Sequence, residues 1–280
     1  MQEFIIKPHR KFTIGWRELW QYRELFYFFT WRDVKVRYKQ ATLGVLWAAM
    51  QPLSMMLVFT LIFGRGLQVA SDGLPYPVFA FSGLMIWQIF SSGLMNAANS
   101  MIANSNIIKK IYFPRLIIPM SSILTALFDF SFAFVAFLGL ILYFQQPIHV
   151  LRFIIFVPLS ILMTVMTTFG LGTLIAALNV KYRDFQYVIP FFIQFLLFVN
   201  PVVYSSKVFE NHYFAQKIMA FNPIAGAINL VRNVFISTEN GGQNAIEWTT
   251  IGGQFLVAFA FLTIGIYTFR SMESYFADLA

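Results

Sequence analysis

The sequence predicts an all-α integral membrane protein with six transmembrane helices, and three observations predict it. Hydrophobic residues make up 58% of the 280 and charged residues only 11%, far from the balance of a soluble domain. Long charge-free stretches recur, and a helix of about 20 apolar residues crosses the ~30 Å hydrocarbon core. The Lys and Arg residues sort between alternate loops, 15 of the 20 on one side. The positive-inside rule makes that side cytoplasmic. On this reading 1–280 is a single transmembrane domain. Residues 1–42 form an amphipathic cytoplasmic region, 43–204 hold spans one to five, 205–247 an outer hairpin, and 248–280 span six and a cytoplasmic tail. Both termini are cytoplasmic.

The stretch Trp31–Trp47 organises the chain. Five charges crowd into residues 32–39, and then 24 residues from Ala41 to Gly64 carry none. A basic segment thus runs straight into the first span, 43–63. Before it, Tyr27, Trp31, Val34 and Tyr38 recur at helical spacing, with Arg32, Lys35 and Lys39 beside them and Val36 out of pattern. Aromatic and basic stripes together predict a helix lying in the headgroup region. It serves either as an anchor alone or also as a surface for a cytoplasmic partner.

The second span lies within 73–108 and ends near residue 101. The third covers 117–143, the fourth lies within 153–180, the fifth within 185–206 and the sixth within 248–269. The loop between spans two and three predicts a short helix from Asn104 to Tyr112, stopped before Pro114. Ile107, Ile108 and Ile111 would form its apolar face beside Asn106, Lys109 and Lys110. It reads as a docking knob or as an interfacial turn. Asp129 is the only acid well inside a span, which marks it either as functional or as a packing contact with a neighbouring helix. Gly172 and Ala176 form a small-xxx-small pair suited to close helix packing.

Two helical faces mix aromatics with amides or a hydroxyl. Trp47, Gln51 and Ser54 lie on the first span; Tyr187, Phe191, Gln194 and Phe198 lie on the fifth. Flat sugar faces pack on rings while their hydroxyls find polar partners, so these faces either line a sugar path or meet lipid. In the outer hairpin, the 14 uncharged residues Ile218–Val231 contain Asn222-Pro223. They are too few to span and predict a re-entrant or interfacial helix pair, acting as a gate or only as a link.

Several chemistries are excluded. The chain has no cysteine, hence no thiol nucleophile or thiolate metal site. It has no Gly-x-x-x-x-Gly-Lys-Ser/Thr phosphate loop. His9, His149 and His212 have no zinc spacing, and no paired carboxylates share a helical face. Residues 1–24 are mostly polar and do not read as a cleavable signal. Topology accounts for the basic excess, and no basic groove with stacking aromatics suggests nucleic acid. The chain therefore reads as non-catalytic and cofactor-free.

Four stretches carry a family resemblance: Arg32–Lys39 with Leu43–Trp47, Lys109–Arg115, Asn179–Asp184 and Asn222–Ile224. In order and spacing they resemble the permease subunits of polysaccharide-exporting type-two ABC transporters, the O-antigen and teichoic-acid exporters. The resemblance implies a homodimer in the bacterial inner membrane and two nucleotide-binding ABC subunits that hold ATP and Mg. It implies an undecaprenyl-type lipid-linked polysaccharide as cargo. A coupling helix around Asn106–Ile111, a channel along spans one and five, and re-entrant outer gate helices also follow from it. Arg32, Lys35, Arg37 and Lys39 would then attract the lipid pyrophosphate. The rival readings are an ABC exporter of a small lipid or drug and, less well supported, a membrane-embedded glycosyl or lipid transferase, for which no acidic or metal-binding cluster is available.

Overall fold

A chain in lipid must satisfy its backbone polar groups internally, and here it does so as helix. The computed structural model describes residues 20–39, 43–182, 184–209, 212–235 and 247–273. In order these form α1 (Arg23–Tyr38), a 3-10 turn (Gly44–Leu46), α2 (Trp47–Phe59) continued by a π-helical segment (Thr60–Gly66), and α3 (Tyr76–Ala103). There follow α4 (Ser105–Ile108), α5 (Ile117–Tyr143), α6 (Val150–Lys181), α7 (Phe185–Val199), a 3-10 turn (Ser206–Phe209), α8 (Tyr213–Phe221), α9 (Pro223–Arg232) and α10 (Trp248–Met272). No strand occurs among the described residues.

Five runs are long and apolar enough to cross a membrane: Gly44–Gly66, α3, α5, α6 and α10. The bend into the first is made at Gly44, whose φ of +51° suits glycine. The expected fifth span is shorter than its apolar run. α7 has 15 residues, about 22 Å of helix. Asn200 is extended (φ −85°, ψ 147°) because it precedes Pro201, a position that disfavours helix. The Tyr204 hydroxyl donates to the carbonyls of Phe198 and Val199 at 2.7 and 3.1 Å, satisfying two groups that the helix end leaves open.

α3 is the core helix. Phe79, Phe81, Met85, Ile86, Ile89 and Phe90 are fully buried along it, and a helix apolar all round belongs inside a bundle. α5 and α6 pack on α3, and α6 carries α10 on its other side. The expected Gly172–Ala176 pair does face inward, with Gly172 against Ala97 of α3. The tightest approach is elsewhere. A Cβ built on Gly170 would collide with the backbone of Phe261, and one built on Gly265 would collide with the Gly170 carbonyl. α6 and α10 thus touch backbone to backbone, which only small residues permit.

The loop helix is shorter than expected. It covers Ser105–Ile108, not Asn104–Tyr112. Ile108 is buried, whereas Ile111 is 59% exposed. The chain turns at Lys109–Lys110 and brings Phe113 onto Phe29 of α1, with ring centroids 5.6 Å apart. Phe113 takes the buried place that an extended helix would have assigned to Ile111.

The expected helix pair in the outer hairpin is present as α8 and α9. Asn222 caps α9, its side chain accepting from the amides of Ile224 and Ala225, and Pro223 takes the first helical position. The two helices differ sharply: α8 buries no residue, while α9 is buried from Pro223 to Leu230 except Asn229, and on through Arg232.

Candidate functional site

Three groups of residues stand out: the basic end around α1 and α4, the open faces of α2 and α7, and the seat of α9 at the opposite end.

At the basic end, Phe29 is 1% exposed and packs with Met101, Ile108, Phe113 and Leu116. The aromatic stripe read from sequence is therefore divided. Val34 is buried and Tyr38 half-buried, whereas Tyr27 and Trp31 stack on each other on the exposed side, centroids 6.4 Å apart. α1 carries two apolar faces, and the protein-facing one is marked by Phe29 rather than by the aromatic repeat.

Polar contacts tie α1 to the bundle. The Arg32 guanidinium donates to Asp33 Oδ1 at 2.7 Å and to Asn104 Oδ1, just before α4, at 2.8 Å. Arg37 and Tyr38 both donate to the Asp129 carboxylate. Asp129 lies 12 residues into α5, about 18 Å along its axis. The last turn of α1 therefore packs against the middle of α5. Burial, then the hydrogen bond and charge of Asp129, push the Tyr38 phenol pKa up. The phenol stays protonated and remains a donor. Of the two readings of Asp129, the contact with a neighbouring helix is the one the structure displays.

Lys35 and Lys39 are exposed, with Lys35 Nζ 5.5 Å from the Trp31 ring centroid. Both guanidiniums of the expected basic cluster, Arg32 and Arg37, are paired with acids. In the loop, Asn106, Lys109, Lys110 and Ile111 are exposed, Ile107 is half-buried and Ile108 is buried. Asn179 anchors the same end: its Nδ2 donates to the Ala98 carbonyl and to Asn99 Oδ1 at 3.1 and 3.0 Å. Arg183 lies outside the described residues.

All seven residues expected along the two mixed faces are exposed: Trp47, Gln51 and Ser54 on α2, and Tyr187, Phe191, Gln194 and Phe198 on α7. Tyr187 and Phe191 reach 75% and 74%. Large rings left open in this way mark either lipid contact or an interaction surface.

The third group went unread in the sequence, where no motif marks Arg232. It is 2% exposed at the end of α9. Its guanidinium donates to the carbonyls of Pro201, Val202 and Phe79 at 2.7, 2.8 and 3.3 Å and lies 3.5 Å from the Phe79 ring centroid. Asn222 Nδ2 donates to Asn200 Oδ1 at 3.0 Å. Both ends of α9 are thereby fastened to the segment after α7. Gly83 makes room: a Cβ there would lie 2.9 Å from the Val202 carbonyl. Only the distance between Asn200–Tyr204 and Arg232 in sequence hid this seat.

Among the described residues no group of His, Cys, Asp and Glu could hold a metal ion. A helical bundle with five runs long and apolar enough to cross a membrane is the architecture of a multi-pass membrane protein. Residues 24–236 match the ABC-2 type transporter family, and the chain belongs to it. An O-antigen export system permease protein, RfbA, from Klebsiella pneumoniae is 30% identical over 249 residues, 89% of this chain and 92% of that one. The RfbA protein of Myxococcus xanthus is 30% identical over 223 residues, covering 78% and 83%. The polysialic acid transport protein KpsM of Escherichia coli is 22% identical over 248 residues, covering 86% and 91%.

Proposed function

We propose that the chain is the transmembrane subunit of an ATP-driven exporter that moves a lipid-linked polysaccharide from the cytoplasmic leaflet across the bacterial inner membrane. The observation that carries this is the exposure of all seven mixed-face residues on α2 and α7, in a chain whose relatives are named for O-antigen and polysialic acid export. In the homodimer these faces line one channel. The bundle has six spans, α7 with the segment after it being the fifth, and both termini are cytoplasmic. α8 and α9 form a re-entrant outer gate. Two nucleotide-binding subunits hold ATP and Mg and push on the loop at Asn106–Ile111. The exposed amines of Lys35 and Lys39 draw the undecaprenyl-type pyrophosphate to the cytoplasmic entrance, whereas Arg32 and Arg37 are held by Asp33 and Asp129.

Phe191→Ala and Phe198→Ala are expected to slow the appearance of polymer at the cell surface, each roughly tenfold. A stacking contact worth about 1.4 kcal/mol per ring corresponds to that factor. Pulse-labelled surface glycan at equal protein level measures it, and unchanged export in both variants removes these residues from the channel. The double charge reversal Lys109→Glu, Lys110→Glu is expected to lower co-purification of the ATP-binding subunit or the coupling of its ATPase to export. Normal assembly together with normal coupling contradicts the docking role.

A further inference from the structure

We infer that a second sugar-binding site lies at the basic end, in the cavity between α1, α3, α4 and α5, away from the mixed faces of α2 and α7. The inference rests on the polysaccharide reading above and adds a place where the glycan is held. The cavity has a volume of about 740 Å³, within the roughly 300–1,000 Å³ of small-molecule sites. Asn96, Asn99, Asn104 and Asn106 line it, joined by the hydroxyls of Ser122 and Thr125. Each amide offers two donors and an acceptor, the complement of a hydroxyl-rich ligand.

Two of the four amides are committed to the fold. Asn99 donates to the Met95 carbonyl at 3.1 Å and accepts from Asn179. Asn104 donates to the Ser100 carbonyl at 2.8 Å and accepts from Arg32. Asn96 differs. It lies in the body of α3, half-buried, on the cavity wall, and its side chain makes no hydrogen bond among the described residues. An amide in the body of a span is expensive unless it meets water or a ligand.

The wall's charge selects the ligand class. Arg32 and Arg37 line the cavity, yet Arg32 is paired with Asp33 and Arg37 with Asp129. No free positive charge is left on it. A phosphate would need one, whereas an uncharged sugar ring needs only donors, acceptors and short apolar patches, here Val36, Ala103 and Ile107. The site therefore fits neutral sugar rings of the cargo, with any pyrophosphate outside it, near the exposed lysines.

The test uses the full chain in cells that make the polymer. A photoreactive p-benzoylphenylalanine is placed at Asn96, at Phe191 and, as a lipid-side control, at Val135, which is 67% exposed on α5. Irradiation is expected to link glycan to the chain from position 96 and not from 135. Asn96→Leu is expected to slow export about 3- to 10-fold, the worth of one neutral hydrogen bond, with protein level and partner co-purification unchanged. Asn96→Ser, which keeps a hydroxyl, is expected to retain most of the rate. No glycan adduct at 96, or equal adducts at 96 and 135, overturns the cavity site. So does loss of the ATP-binding partner in Asn96→Leu, which would make the cavity a protein-docking surface. Polymer trapped inside cells that lack the chain, or an adduct at 191, would leave the export reading standing in that case. Normal surface polymer without the chain removes both.

Discussion

Arg232→Met loses roughly 2–4 kcal/mol of folding stability, one of the two largest single-residue effects expected in this fold. The Pro201 and Val202 carbonyls lie 2.7 and 2.8 Å from the guanidinium, and each becomes an orphan at about 1–2 kcal/mol, whereas the Phe79 carbonyl keeps the Ser82 hydroxyl as a donor. The segment Asn200–Tyr204 is not helical, so it has no ladder to fall back on. Lys cannot reproduce the planar fork, and Arg232→Lys falls between the two. Denaturant unfolding in detergent measures the difference. If Arg232→Met unfolds at the wild-type midpoint, α9 is not held by its carbonyl cage. Because α9 is fastened here and at Asn222–Asn200, the same variant is expected to leave α9 accessible to proteases at lower denaturant concentration than the rest of the bundle.

The second large effect is asymmetric. The Asp129 side chain is 4% exposed and that of Arg37 is 32% exposed. Arg37→Ala leaves a carboxylate with Tyr38 as its remaining polar partner and costs about 3 kcal/mol, as the loss of one member of a buried pair does. Asp129→Ala leaves a guanidinium that reaches water along its own stem and costs about 1 kcal/mol. The double variant is more stable than Arg37→Ala alone, with a coupling of about 2 kcal/mol. Additive losses would show that the two residues do not interact. The cycle also reports whether α1 is strapped to α5, because no other polar contact joins the last turn of α1 to that helix among the described residues.

The long elements were legible because their signal is chemical and repeated. The third span, 117–143, coincides with α5, and the start of the sixth coincides with α10 at Trp248. Where the reading missed, a local signal gave way to a distant contact. Ile111 has the spacing of a helical face, but Phe113 has Phe29 to pack on, so the helix stops at Ile108. The apolar run 185–206 looks like one span, but Pro201 sets Asn200 extended and ends α7 at Val199. The partner of Asp129 lies 92 residues away in Arg37, and no periodicity encodes that distance. The same holds for Gly265, whose role depends on Gly170 of another helix. Several motif residues did carry a decodable role. Asn222-Pro223 is a helix cap followed by a first-turn proline, a start signal written in two adjacent residues. The two mixed faces on α2 and α7 were readable for a similar reason, since helical spacing alone decides which residues share a side.

The measurement that tests polysaccharide export most directly is the location of polymer in cells lacking the chain. Surface glycan is labelled, and lipid-linked polymer is assayed inside the same cells. Export by this chain predicts full-length polymer retained inside, no surface polymer, and recovery of both when the chain is restored. Normal surface polymer with no internal build-up would contradict it and point to a small lipid or drug as the cargo.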